Sequence, residues 1–290
     1  MKRFHLNFLL TAIVGFSAVV AANAPASAQQ VGPVANNSST TARNDAAAGV
    51  DVERIIRAFT AKEVEFRQAL NQYSFKRDAV VQSIGMGGQI AGEYHRVSRF
   101  VFDDSGQRYE KILLFPLPTL KDLTISPADL EDLSGVQTFA LETGKIPLYN
   151  FTYVGKEKID ELNLHVFDVA PKVMPDPKKS KERFFQGRIW VDDQDLQIVK
   201  ARGKGVPEAK GERYPTFETY REQIDGKYWF PTYTYADDEL VFDSGQVVRV
   251  RMRIKFTDFE RHRAKVRVIE EGDVIDETPK PTPTPDQPKP

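Results

Sequence analysis

The sequence predicts an α+β fold, mainly β, built on an antiparallel meander, and three observations carry that expectation. Between residues 183 and 260, four or five strand-length stretches are separated by turn signals, with no room for a helix between them. Within that run Ile224-Asp225-Gly226-Lys227 joins two β-rich arms, 216–223 and 228–235, and Asp-Gly in such a setting favours a two-residue type I′ hairpin. Downstream, Val248, Val250, Met252, Ile254 and Phe256 alternate with Arg249, Arg251, Arg253 and Lys255, the period-2 pattern of a strand with one buried and one wet face. A sheet this long must lay its apolar face on something, and what it lays on is the functional question.

Taken in order, the body opens with a helix over residues 51–72. Val52, Ile55, Ile56, Phe59, Phe66 and Leu70 fall near one helical face, Asp51 is placed to cap, and Glu53 in the first turn suits the helix dipole. Strands are expected at 73–84, 89–102 and 107–115, joined by the turns Gly85-Met86-Gly87-Gly88 and Asp103-Asp104-Ser105-Gly106. A shorter second helix is expected from Ser126, where Ser-Pro-Ala-Asp supplies an N-cap, a proline at the first helical position and an early acid; its apolar positions are Leu130, Leu133, Val136 and Phe139. Tyr149, Phe151 and Tyr153 then alternate with polar residues, 162–169 forms another strand that stops at Pro171, and 171–181 is an exposed loop rich in proline and lysine. After the long meander, 265–269 can form a last edge strand.

The two ends of the 290-residue chain are not fold material. Lys2 and Arg3 precede an apolar run over residues 8–22, and Ala26-Ser27-Ala28 is a small-residue cleavage motif, so 1–28 reads as a secretory signal peptide that delivers the mature chain to the periplasm. Residues 29–48 form a flexible leader rich in Ala, Asn, Ser and Thr, 49–270 the folded domain, and 271–290 a disordered tail in which proline alternates with polar spacers. About 220 residues remain for the body, enough to bury roughly 70% of the unfolded surface. Cleavage removes two of the 40 basic residues and none of the 41 acidic ones, moving the formal charge from −1 to −3. Such near-neutrality and export both argue against nucleic-acid binding. The chain contains no cysteine, which excludes disulfides, thiol catalysis, thiolate metal sites and a lipid-modified N-terminal cysteine.

Catalytic signals are thin. His95, His165 and His262 each stand alone in a strand-like stretch, with neither an HExxH helix nor a G-x-S-x-G elbow. Asp192-Asp193-Gln194-Asp195 lacks the spacing and distal glutamate of a calcium loop and reads as a hairpin turn. Gly85 to Gly88 is too short, and lacks the following lysine, to cradle a phosphate. The row Arg249, Arg251, Arg253, Lys255 reads as a solvated face partly paired with acids such as Glu218 and Glu222 on neighbouring strands. No enzyme activity, cofactor or metal is therefore expected. The aromatic content of 11%, with Trp190 and Trp229 in the meander, suits either closed packing or a cavity wall.

A resemblance rests on particular strings. Phe185-Gln186-Gly187-Arg188-Ile189-Trp190-Val191-Asp192, a tight polar turn and Leu196-Gln197-Ile198-Val199 are similar to the strand-turn-strand core of LolA-like periplasmic proteins. So is Tyr153-Val154-Gly155-Lys156-Glu157-Lys158-Ile159 leading to Val166-Phe167-Asp168-Val169-Ala170-Pro171-Lys172. The resemblance covers about residues 50–262 and implies a strongly curved antiparallel sheet, an incomplete β-barrel lidded by one to three helices, whose concave apolar side holds acyl chains. A loop at 204–212 and the proline tail depart from that pattern. The expected function is a periplasmic carrier or receptor for lipid or lipoprotein acyl chains, as in outer-membrane lipoprotein sorting, with envelope transport proteins as partners and at most peripheral membrane contact. On that plan the inward alternate positions that would line the site are Phe59, Phe151, Tyr153, Ile189, Val191, Val250, Met252 and Ile254. The alternative is a non-catalytic envelope sensor or complex subunit with a filled core on the same fold; a hydrolase would need a catalytic constellation that the sequence does not show. A cavity of several hundred Å³ would separate the first two readings.

Overall fold

The computed structural model describes residues 49–126, 129–130, 139–179 and 182–262. The expected signal peptide, leader, proline tail and last edge strand lie outside the described residues, as do Leu133 and Val136 of the second helix.

Helix α1 (Val52–Leu70) begins where the Asp51 carboxylate accepts the Arg54 N–H at 2.9 Å, the capping bond that the sequence announces. Its Ile55, Phe59, Phe66, Ala69 and Leu70 are buried against the sheet. No described helix is long and apolar enough to cross a membrane.

The sheet has ten strands: β1 (Tyr73–Ile84), β2 (Ile90–Phe102), β3 (Arg108–Leu114), β4 (Tyr149–Ile159), β5 (Leu162–Pro171), β6 (Phe184–Asp192), β7 (Ile198–Val206), β8 (Phe217–Ile224), β9 (Tyr228–Val241) and β10 (Val247–Arg261). A 3-10 turn (Thr143–Leu148) precedes β4. Their order is β3-β2-β1-β10-β9-β8-β7-β6-β5-β4, and every pair is antiparallel. The sheet is therefore an unclosed meander with β3 and β4 at its edges and one non-sequential pairing. In that pairing Tyr73 lies opposite Arg261 and Ala79 opposite Ile254, so the first and last described strands meet inside the sheet, two strands in from the β3 edge.

Local chemistry agrees with these assignments. Asp225 and Gly226 both have positive φ (52° and 66°), as a type I′ hairpin demands. On β10, Val248, Val250, Met252, Ile254 and Phe256 are buried while Arg249, Arg253 and Lys255 are exposed. Tyr73 ties the start of β1 to the β8–β9 turn: its hydroxyl donates to Asp225 at 2.7 Å, and burial together with that carboxylate pushes the phenol up to about 12.

Curvature has identifiable causes. Register shifts interrupt the β1/β10, β2/β3, β4/β5, β6/β7 and β8/β9 ladders, each adding local twist. Gly187 and Gly203 face each other across β6 and β7. A Cβ on Gly187 would come within 2.2 Å of the Arg202 carbonyl oxygen and 2.5 Å of Gly203 Cα, so only glycine lets the two backbones approach this closely. Gly187→Ala is expected to cost about 1–3 kcal/mol in urea unfolding, because backbone must move. Gly144→Ala, where nothing lies within 4 Å, should be neutral; equal effects at both positions would show that crowding at Gly187 is relieved cheaply.

The main core lies between α1 and the inner face of the sheet. Phe59 packs on Phe151 and Phe167 with ring centroids 5.7 and 5.6 Å away, and Phe66 and Tyr73 pack on Phe230 at 5.8 and 4.9 Å. A smaller cluster of Leu164, Val166, Trp190 and Val199 covers the opposite face of β5 to β7.

Candidate functional site

Alternation alone sends Val250, Met252 and Ile254 of β10 inward, but the structure gives them different surroundings. Ile254 and Met252 belong to the same buried core cluster, but only Met252 also reaches a cavity. Val250 and Met252, nearer the β9–β10 turn, form the floor of a cavity of about 370 Å³ with Val81 of β1 and Leu240 of β9. Two segments roof it: the crossover that follows β3, through Asp122, Leu123, Thr124, Ile125 and Asp129, and the β7–β8 loop, through Gly211 to Pro215. That loop overlaps the stretch at 204–212 that departs from the LolA-like pattern, so the departure supplies part of the cavity wall.

Both roof segments are pinned by specific bonds. The crossover runs beside β2, where Thr119 N–H donates to the Glu93 carbonyl at 2.9 Å and Glu93 N–H donates to Thr119 Oγ1 at 2.9 Å. Gly92 makes that approach possible, since a Cβ there would stand 2.6 Å from the Thr119 carbonyl oxygen. Further on, Asp129 accepts from Ser126 N–H at 2.8 Å and from its hydroxyl at 2.7 Å, while Asp129 N–H donates back to Ser126 Oγ at 3.1 Å. This is the N-cap expected at Ser126. The β7–β8 loop is held by Arg213, which donates through Nε to the Val241 carbonyl at 2.8 Å and pairs through Nη2 with Asp243. Thr216 N–H adds a bond to Asp238 at 2.8 Å. At the mouth, the Tyr214 hydroxyl donates to Glu212 at 3.1 Å, and burial pushes the phenol above its usual range. The floor is thus apolar and the rim polar, as in small-molecule sites generally.

Of the eight positions read from periodicity, Val250 and Met252 line this cavity. Phe59, Tyr153, Ile189, Val191 and Ile254 are buried in the core under α1, and Phe151 packs against it partly buried. Asp122, Leu123, Ile125 and the 211–215 wall could not be found by strand periodicity, because they lie outside regular strands.

The other singled-out residues have structural partners. His95 lies 2.9 Å from Asp78; His165 is buried beside the Tyr153 hydroxyl at 3.2 Å, with burial lowering its pKa; His262 stacks on Phe102. Asp192 closes the expected turn by accepting from the Gln194 and Asp195 amides at 3.1 and 3.0 Å. Among the described residues no group of three or more His, Cys, Asp or Glu is arranged to hold a metal ion. The basic row needs a correction: Arg249 and Arg251 share Asp237, at 3.1 and 2.9 Å, whereas Glu218 binds Lys200 and Arg202. Asp237 stands opposite Arg251 on the adjacent β9, while Glu218 and Glu222 belong to β8, one strand too far. A wider concavity of about 500 Å³ lies over Gly187 and Gly203, and at its wall Asp168 and Arg188 bind each other bidentately at 2.7 and 3.1 Å.

Fold and site together define an open antiparallel half-barrel in which α1 covers a closed core and a cavity with an apolar floor and a polar rim lies beside it. No family model and no curated protein matches the chain. Among solved structures it is similar to a DUF1329 family protein from Desulfovibrio piger, at 17% identity over 71% of this chain and 92% of that one, with a TM-score of 0.34. It is also similar to a protein of the LolA superfamily, the one that the strand motifs resemble, from Nitrosomonas europaea: 14% identity, 70% and 94% coverage, TM-score 0.31. A third is MucB, at 12% identity, 68% and 93% coverage and a TM-score of 0.23.

Proposed function

We propose that this protein is a carrier or receptor of the bacterial periplasm that binds lipid or lipoprotein acyl chains in the cavity floored by Val81, Leu240, Val250 and Met252. The observation that carries this reading is the cavity itself: about 370 Å³ of space with an apolar floor and a polar rim, within the range of small-ligand sites. The signal-peptide motif at 1–28 supports an exported location. Val250 and Met252 contact the chain, Met252 adapting to it through its flexible thioether. Phe59, Phe151, Tyr153, Ile189, Val191 and Ile254 lie in or against the closed core and do not line the cavity.

The test is to fill the space. Val250→Phe and Met252→Phe add volume that projects into the cavity, and each is expected to weaken uptake of a fluorescent dodecyl probe with an uncharged head by about tenfold, which corresponds to 1.4 kcal/mol. Phe59→Ala, in the closed core, is expected to cost about 3–5 kcal/mol of stability and to leave uptake by the folded fraction unchanged. Uptake that is absent, or unchanged by filling, would favour the sensor or complex-subunit reading of the same fold.

A further inference from the structure

We infer that the cavity selects amphiphiles whose polar end carries a positive charge, an ammonium head in preference to a carboxylate or phosphate. This rests on the reading of the cavity as an acyl-chain site. With the apolar floor at one end, the head of a bound chain comes to rest among Asp122, Asp129, Glu212, Arg213 and Tyr214 at the rim. Among the described lining residues Arg213 is the one cation, and four of its five N–H donors are already committed. Nε holds the Val241 carbonyl at 2.8 Å, Nη1 the Ala209 and Glu212 carbonyls at 3.2 and 2.6 Å, and Nη2 pairs with Asp243. A guanidinium offers five N–H donors in one rigid plane, so an anion meets at most the second Nη2 N–H unless the loop that the other four pin is released.

The carboxylates are placed otherwise. Asp122 and Glu212 are exposed at the rim, and the bonds they accept, from Gln246 Nε2 at 3.4 Å and from the Tyr214 hydroxyl at 3.1 Å, come from neutral donors. Asp129 takes its two bonds from Ser126, also neutral. Among the described lining residues three carboxylates therefore stand against one guanidinium group. An ammonium head adds opposite charge to that excess, whereas a carboxylate or phosphate adds like charge. At contact distances the difference is about 1 kcal/mol in water and grows where the mouth excludes it.

Competition among three ligands of one chain length isolates the head. Dodecylammonium, dodecanol and laurate, each below the concentration at which micelles form, displace the uncharged fluorescent dodecyl probe from the full mature protein. Dodecylammonium is expected to act at about tenfold lower concentration than laurate at low ionic strength, and the ratio is expected to fall toward one in about 1 M salt. The double variant Asp122→Asn, Glu212→Gln, whose two side chains lie at the surface, should keep the native melting temperature and lose most of the ratio. Laurate binding as tightly as dodecylammonium, with the probe still bound, overturns the charge selection and leaves the cavity reading standing. A ratio unchanged in the double variant overturns the assignment to these carboxylates. If neither the probe nor dodecanol binds, the cavity reading itself fails.

Discussion

Ile254→Arg is expected to cost roughly 4 kcal/mol or more, a large part of the 5–15 kcal/mol that holds a domain of ordinary stability together. Ile254 is fully buried, flanked by Ala79 on β1 and Thr234 on β9, inside the sheet. An arginine there would bring an unpaired charge into the core and would exceed the space that isoleucine fills. Its neighbour Arg253 is exposed on the other face, so Arg253→Ile should change stability by well under 1 kcal/mol. Urea titrations of both variants, followed by tryptophan fluorescence, compare the two faces directly; equal effects or the reverse order would show that β10 is turned over.

That comparison works because the faces of β10 are written in its sequence: five buried aliphatic or aromatic residues at a spacing of two leave no other register. The capping Asp51 and the Asp225-Gly226 turn are local in the same sense, since the residues that decide them are neighbours in the chain. What lies beyond such reach is anything set by distant segments. Asp237 was not recognisable as the partner of Arg249 and Arg251, because that depends on the β9/β10 register. Periodicity also tells inward from outward but not sealed from open. Met252 and Ile254 read alike, and only the crossover after β3 and the 211–215 loop make one of them a cavity floor.

The second large effect is expected at Glu63, in the middle of α1. Its carboxylate is 2% exposed and binds Arg221 of β8 through two bonds, at 2.6 and 3.1 Å, while the guanidinium lies 4.5 Å from the centre of the Phe66 ring. Glu63→Ala removes the counter-charge and leaves Arg221 desolvated against an aromatic wall, which should cost about 3–5 kcal/mol. Removing both charges is a different matter. The double variant Glu63→Leu, Arg221→Leu is expected to recover most of that loss, because apolar pairs often replace buried ion pairs without penalty. A complete double-mutant cycle by chemical denaturation measures the coupling; a single-variant cost under about 1 kcal/mol would mean that water reaches the pair.

The meeting of β1 with β10 governs the order in which this protein can be made. Hairpins β2–β3 and β4 through β9 join neighbours and can form as the chain is made, but β1 has a bonding edge whose partner is the last described strand. Until Arg261 emerges, the sheet holds an open seam, with Ala79 and Val81 uncovered on one side and Thr234 and Ala236 on the other. Joining segments so far apart pays its loop-closure entropy before the contacts are gained, which makes this the slow step. The chain thus spends its most adhesive interval with that seam open, and it is then that it depends most on folding helpers.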